Sequence, residues 1–315
     1  MSDMRYYLLF AALALSLAAC TNDNEVMDNG PVAAVINAEI SDAVATRASG
    51  TQASLAQSVE VYGYTTCTNN EGAPVTGGSP TIYLENANIN VGSGNAINII
   101  DGNPTIHVQG TSSIFSGDGA GIYVAPNNTV TITGDSRDDQ LTVRGNNGGS
   151  GIGGYVISSN NGATCGNITI SDVTIISYGS GDSMSSDMAA GIGSAVGASC
   201  GNIAIENATV HAYGVLFDPI ATPAIGCGYP SSGIPKSIPV VKISNDSDIH
   251  AHRGGSVGNT DYIGWAGSSW GMNANSTINL GGGTCTSSTV YCYTGDGNIV
   301  DKIVVYDANG NATQK

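Results

Sequence analysis

The chain has 315 residues and a formal net charge of −16, with nine Lys plus Arg against 25 Asp plus Glu. Phosphate backbones need clustered cations, so nucleic acid is excluded as a partner. Charged residues reach only 11%, Gly numbers 44 and Phe three. Such a palette suits many short strands parted by tight turns, whereas disorder needs high charge density.

Taken in chain order, "MSDMRYYLLFAALALSLAAC" has one basic residue, Arg5, and then an apolar run from Tyr6 to Ala19. That run is short for a membrane span and has the length of a signal-peptide core, so 1–19 reads as a signal peptide. Leu17-Ala18-Ala19-Cys20 resembles the bacterial lipobox, which implies lipidation of Cys20 and anchoring by acyl chains alone. The acidic "TNDNEVMDNG" that follows resembles the surface-export signal of Bacteroidetes lipoproteins. Together these resemblances imply an exported, outer-membrane-anchored lipoprotein exposed at the cell surface.

Residues 20–56 read as an acidic tether with one strand, marked by Ile36, Ala38 and Ile40. The stretch also resembles the N-terminal segment of Bacteroidetes fimbrillin-family lipoproteins, in which case Arg47 would be the processing position. That resemblance implies a subunit joined to its neighbour by strand exchange.

From 57 to 270 the chain alternates short β-type runs with Gly-rich turns. "NITISDVTIISYG" and "NIAIENATVHAYG" nearly repeat one another, and "VVKIS" keeps the strand without the leading cysteine. A second recurring word is Gly/Ala-Ile-Gly or a close variant, centred on Ile122, Ile152, Ile192, Ile225 and Ile263, at intervals of 30 to 40 residues. One such unit buries too little apolar surface alone, but stacked units share a core. The Gly-Ile-Gly word reads as a coil corner, where Gly permits positive φ and close backbone approach. The fold class is all-β: a β-solenoid, in the form of a right-handed parallel β-helix with irregular coils, with a β-sandwich as the alternative. The pattern resembles Gly-rich β-helical modules in surface proteins of gut bacteria, and no activity comes with that resemblance. Residues 271–315 read as a C-terminal β cap or docking element.

With Cys20 lipidated, six cysteines remain in an exported chain, which permits fifteen pairings. If Cys165 and Cys200 hold equivalent places on adjacent coils, they stack about 4.8 Å apart, within reach of a disulfide. Cys285 and Cys292 flank "TSSTVY" and read as a hairpin staple. Cys67 and Cys227 stay open, paired or free.

Two routes to function follow. In the first, Trp265 and Trp270 in "IGWAGSSWGM", with His250 and His252 two apart on one strand, contact a glycan. The same indoles also suit the plug of a solenoid end. In the second, a polysaccharide lyase or hydrolase draws on Asp135, Asp138, Asp139, Asp246 and Asp248, with Arg137, Arg144, Lys242 or Arg253 as the base. A lyase of that kind would need a cation such as calcium, which no motif supports. Arg137 reads as charge balance within its own turn. The spacing of Cys and His matches no metal site, and no cofactor is expected. The reading is a non-enzymatic surface lipoprotein that presents a rigid solenoid for adhesion or carbohydrate binding. Its partners are a glycan or a host or bacterial surface protein, and its alternatives are the fimbrial subunit and the enzyme.

Overall fold

The computed structural model describes residues 33–37, 59–62, 79, 81–158, 161–181, 188–217, 220–228, 238–254, 260–268, 277–294 and 299–315. Cys20, Arg47, Cys67 and Trp270 lie outside the described residues. Within them the chain is all-β, and it is a β-solenoid.

Each coil visits three sheets in turn. One coil runs through Thr129–Gly134 on the first sheet, Gln140–Arg144 on the second and Ile152–Gly153 on the third. The next coil begins at Asn167–Ser171, hydrogen-bonded in parallel to Thr129–Gly134. Among the described residues, repetition builds sheets of seven, nine and seven strands, whose neighbours come from successive coils except for two antiparallel strands at the C-terminal end of the second. A sandwich would need antiparallel hairpins, whereas these parallel partners are each joined by a whole coil, so the alternative fails. Two small antiparallel sheets grow from the loops: Val156–Ser158 with Asn161–Gly162, and Leu216–Phe217 with Ile220–Ala221 and Gly267–Ser268.

Alternation along each strand sends every second side chain inward. In Asn167–Ser171, Ile168 and Ile170 are fully buried while Thr169 faces out. Register then stacks like on like: Ile82, Ile106, Ile132, Ile170, Ile205 and Ile243 form one continuous column. None exceeds 1% exposure, and each such burial contributes roughly 1.5–3 kcal/mol. Four of the passages from first to second sheet turn on a single left-handed residue, Asn86, Gly110, Asp172 or Asn207, and that after Val241–Ser244 on the pair Asn245 and Asp246. Asn, Asp and Gly bear that conformation at least cost.

The third sheet corrects the expected coil corner. Ile122, Ile152, Ile192, Ile225 and Ile263 form a single parallel column, so the Ile-Gly word is itself a face of the solenoid. Gly153, Gly193 and Gly226 hold φ of 132°, 133° and 141°. A Cβ on Gly193 would sit 1.9 Å from the Gly226 carbonyl oxygen. Glycine is required there both for backbone angle and for close approach.

The stack runs on past the expected boundary at 270, since Ser288–Thr294 still pairs in parallel with Asp248–His252. Ile299–Tyr306 then adds to it in antiparallel fashion, and Ala312–Gln314 adds to that. The tight turn at Asp307–Asn311 is closed by the Asp307 carboxylate, which accepts from the backbone amides of Asn309 and Asn311.

Candidate binding face

Among the described residues, the outward side of the second sheet carries the longest run of stacked rings. Residues two apart on a strand share a face, and parallel register carries each position straight to the next coil. The last outward position of each strand reads Phe115, Arg144, Tyr178, Tyr213, His252 and Tyr293. The position before it reads Ile176, His211, His250 and Tyr291 over the last four parallel strands.

These side chains stack. Ring centroids lie 4.5 Å apart for Tyr178 and Tyr213, 4.1 Å for Tyr213 and His252, and 4.0 Å for His252 and Tyr293. Beside them, His211 and His250 lie 4.1 Å apart, and His250 and Tyr291 4.6 Å. Interplanar angles of 6° to 15° make these near-parallel contacts. Arg144 extends the longer column, its guanidinium carbon 4.5 Å from the Tyr178 centroid and 5.9 Å from that of Phe115. A 2.9 Å hydrogen bond between His250 Nδ1 and the Tyr293 hydroxyl ties the two columns together.

Crowding sets the electrostatics. Burial lowers the pKa of His211. His250 falls to about 4, through burial first and then through the neighbouring His211 and His252. Tyr213 is raised by burial and by Tyr178 and Tyr293 beside it. At neutral pH, therefore, the face offers neutral His211 and His250 and neutral phenols.

The sequence-based candidates divide. His250 lies in the stack and is half-buried. His252 is only 6% exposed, with its ring sandwiched between Tyr213 and Tyr293, so it holds the column together in place of meeting a ligand directly. Trp265 follows the third-sheet strand Ile263–Gly264 and sits away from this face. Its backbone amide donates to the Asp261 carboxylate, and its carbonyl accepts from the Asp261 amide. The signal for the tyrosines lies in the twin phrases themselves, since "ISYG" and "HAYG" place Tyr178 and Tyr213 at the same position, just before the glycine.

The cysteines divide as well. Cys165 and Cys200 form a disulfide with Cα atoms 4.4 Å apart, on adjacent coils. The expected Cys285–Cys292 staple is absent, and both are buried thiols. Cys285 bridges to Ile243 on the first sheet, whereas Cys292 lies in the second-sheet strand opposite Ala251. The left-handed turn at Ser287 separates them, so "TSSTVY" rounds a solenoid corner and is no hairpin. Burial pushes both thiols up to about 12. Cys227, also raised to about 12 by burial, hydrogen-bonds Ser194.

The acids mostly serve turns. Asp139 accepts from the amides of Gly110, Asp135 and Ser136. Burial opposes its charge, yet those amides outweigh burial and hold its pKa below the usual carboxylate value. Asp135 lies 3.2 Å from His107. Arg137 is not confined to its own turn, as its position in "GDSRDDQ" suggested. It donates to Asn207 and pairs with Asp248 at 3.4 Å, strapping its coil to the second and third coils beyond it along the edge between the first and second sheets. Of the other candidate bases, Lys242 projects from the first sheet and Arg253 is buried, donating to the Thr260 carbonyl. Among the described residues, no three His, Cys, Asp or Glu side chains are grouped to hold a metal ion. No family model matches the chain, and neither a curated protein nor a solved structure matches it.

Proposed function

We propose that the chain is a non-enzymatic cell-surface lipoprotein, acylated at Cys20 and anchored in the outer membrane. Its solenoid holds out the ring-bearing second sheet for adhesion through carbohydrate binding. The observation that supports this reading is the stacked column from Phe115 to Tyr293, half-buried for most of its length.

The stacking decides what kind of contact the face can make. Rings packed face to face have spent those faces on one another, and they present edges: phenol hydroxyls, imidazole nitrogens and the Arg144 guanidinium. Such edges recur along the solenoid axis at the strand spacing of about 4.8 Å. A linear, hydroxyl-rich polymer lying along that axis meets hydrogen-bonding groups at Arg144, Tyr178, Tyr213 and Tyr293. The rigid sheet beneath has already lost the freedom that binding would otherwise remove. The Asp carboxylates that cap turns have a structural task already, which favours binding over turnover.

The test is glycan-array screening of the mature chain, followed by calorimetry on a bound oligosaccharide. Tyr178→Ala with Tyr213→Ala should weaken binding at least tenfold, while Thr131→Ala on the first sheet should leave it unchanged. Equal affinities in both variants, with their folds intact, would sink the binding reading. An N-terminus after Arg47 on protein recovered from cells would replace it with the fimbrial subunit, and chelator-sensitive cleavage of a polysaccharide would replace it with the enzyme.

A further inference from the structure

Among the second sheet's outward side chains, Arg144 stands apart. It is exposed, and its guanidinium packs over the Tyr178 ring and next to the Phe115 ring. Its backbone is pinned as well, because the Arg144 carbonyl accepts from the Ser116 amide at 3.1 Å and the Ser116 hydroxyl at 3.3 Å. A guanidinium stacked in this way keeps its fork of N–H donors pointing outward in a fixed plane.

Among the described residues no carboxylate pairs with it. Among the described residues, salt bridges join only His107 to Asp135 and Arg137 to Asp248. Acids outnumber bases by 25 to nine in this chain, so an arginine without a carboxylate partner is notable. The next outward positions, Ser113, Thr142 and Ile176, are neutral. Along the parallel strands from Thr111–Phe115 to Ser288–Thr294 the outward carboxylate is Asp248, which Arg137 already neutralises. It lies three strands from Arg144, or about 14 Å at the usual strand spacing. That exceeds the screening length of about 8 Å at physiological ionic strength. Along these strands, then, no unpaired carboxylate competes for the Arg144 guanidinium.

We propose that Arg144, flanked by Phe115 and Tyr178, is an anion subsite that takes a carboxylate- or sulfate-bearing sugar at one end of the ring column. The inference rests on the glycan-binding reading and adds a charge preference to it. A planar carboxylate matches the guanidinium fork through two parallel hydrogen bonds, and a sulfate oxygen pair does the same. The apolar ring of the sugar lies against the Phe115 edge, and its remaining hydroxyls reach the phenols of Tyr178 and Tyr213.

The test is calorimetry on the mature chain with three probes of equal length: a uronic-acid oligosaccharide, a sulfated one and the carboxyl-reduced neutral counterpart. Wild-type protein should prefer at least one anionic probe over the neutral one by about tenfold, in line with a charge-assisted pair of hydrogen bonds. The better of the two anions identifies the group recognised. Arg144→Gln should erase that preference, with the loss on the anionic probe about tenfold larger than on the neutral one. Arg144→Lys should recover only part of it, because an ammonium lacks the planar fork. The preference should also shrink as salt is raised. Equal binding of all three probes by wild type, or an equal loss on every probe in Arg144→Gln, would overturn the subsite and leave the glycan reading standing. Absence of binding to any probe, with Tyr178→Ala and Tyr213→Ala inert across a full array, would remove both. Thermal melts of each variant separate these results from misfolding.

Discussion

The third and second sheets run through the same coils, yet the sequence treats them in opposite ways. Over the last four strands of the third, the chain writes the same two residues each time, and Ile152-Gly153, Ile192-Gly193, Ile225-Gly226 and Ile263-Gly264 stack in register. On the second, the outward column changes at almost every rung, from Phe115 through Arg144, Tyr178, Tyr213 and His252 to Tyr293. Backbone meets backbone on the third sheet, where a single Cβ has nowhere to go. The second sheet's outer side faces solvent, where many side chains fit and only their mutual stacking constrains them. Within one chain, exact repetition marks a packing requirement, and variation on a fixed lattice marks a surface free to acquire specificity.

The sharpest way to break that contrast is Gly193→Val. The new Cβ would lie 1.9 Å from the Gly226 carbonyl oxygen on a backbone at φ +133°, so the cost should exceed about 4 kcal/mol. Urea unfolding of the variant reads it, and a stability near wild type would end the claim that the third sheet is intolerant. Removing the Cys165–Cys200 link with paired alanines comes next, at about 3–4 kcal/mol by loop-entropy reasoning. Reductant should then lower the melting temperature of wild type and leave the double variant where it was.

Tyr213→Ala sharpens the other side. It loses stacking on Tyr178 and His252, each contact worth about 0.5–1.5 kcal/mol, so stability should fall modestly while glycan affinity falls tenfold or more. A large stability loss with unchanged affinity would make the ring column purely structural.

The smallest effect is a pH dependence. His250 has a folded pKa near 4 against 6.5 when unperturbed. The unfolded chain therefore takes up the proton first, so this histidine's share of stability is complete above pH 6.5 and drains away as pH falls toward 4. The groups around it are His211, His252, Tyr291 and Tyr293, with Asp248 on the same strand already paired with Arg137. Melting temperatures from pH 7 to 4 should decline in wild type and decline less in His250→Gln. A parallel decline in both would assign the acid sensitivity elsewhere.

Much of this fold was legible in the linear pattern because its causes are local. Alternating Ile and Thr in "NITIS" dictates an inside and an outside, and recurrence of the word dictates stacking. The offset between Cys165 and Cys200 survives into the structure as a disulfide because each cysteine leads its strand by the same step, to Ile168 and Ile203, which pair in register. Elsewhere the local pattern misled. Cys285 and Cys292 look like the two sides of a hairpin, but the corner at Ser287 sends them to different sheets. Arg137 looks tied to its neighbours in "GDSRDDQ", yet its partners are Asn207 and Asp248 on later coils.

The sequence by itself determined that this is a stack of short strands around an Ile-rich core, where glycine is obligatory and where two cysteines meet. Only the tertiary structure decided that Phe115, Arg144, Tyr178, Tyr213, His252 and Tyr293 stand in one line. Coil lengths vary with their loops, so no fixed offset connects these residues along the chain. Hydrogen-bond register between strands restores the common spacing that the loops conceal, and it is this register that turns scattered aromatic residues into a continuous face.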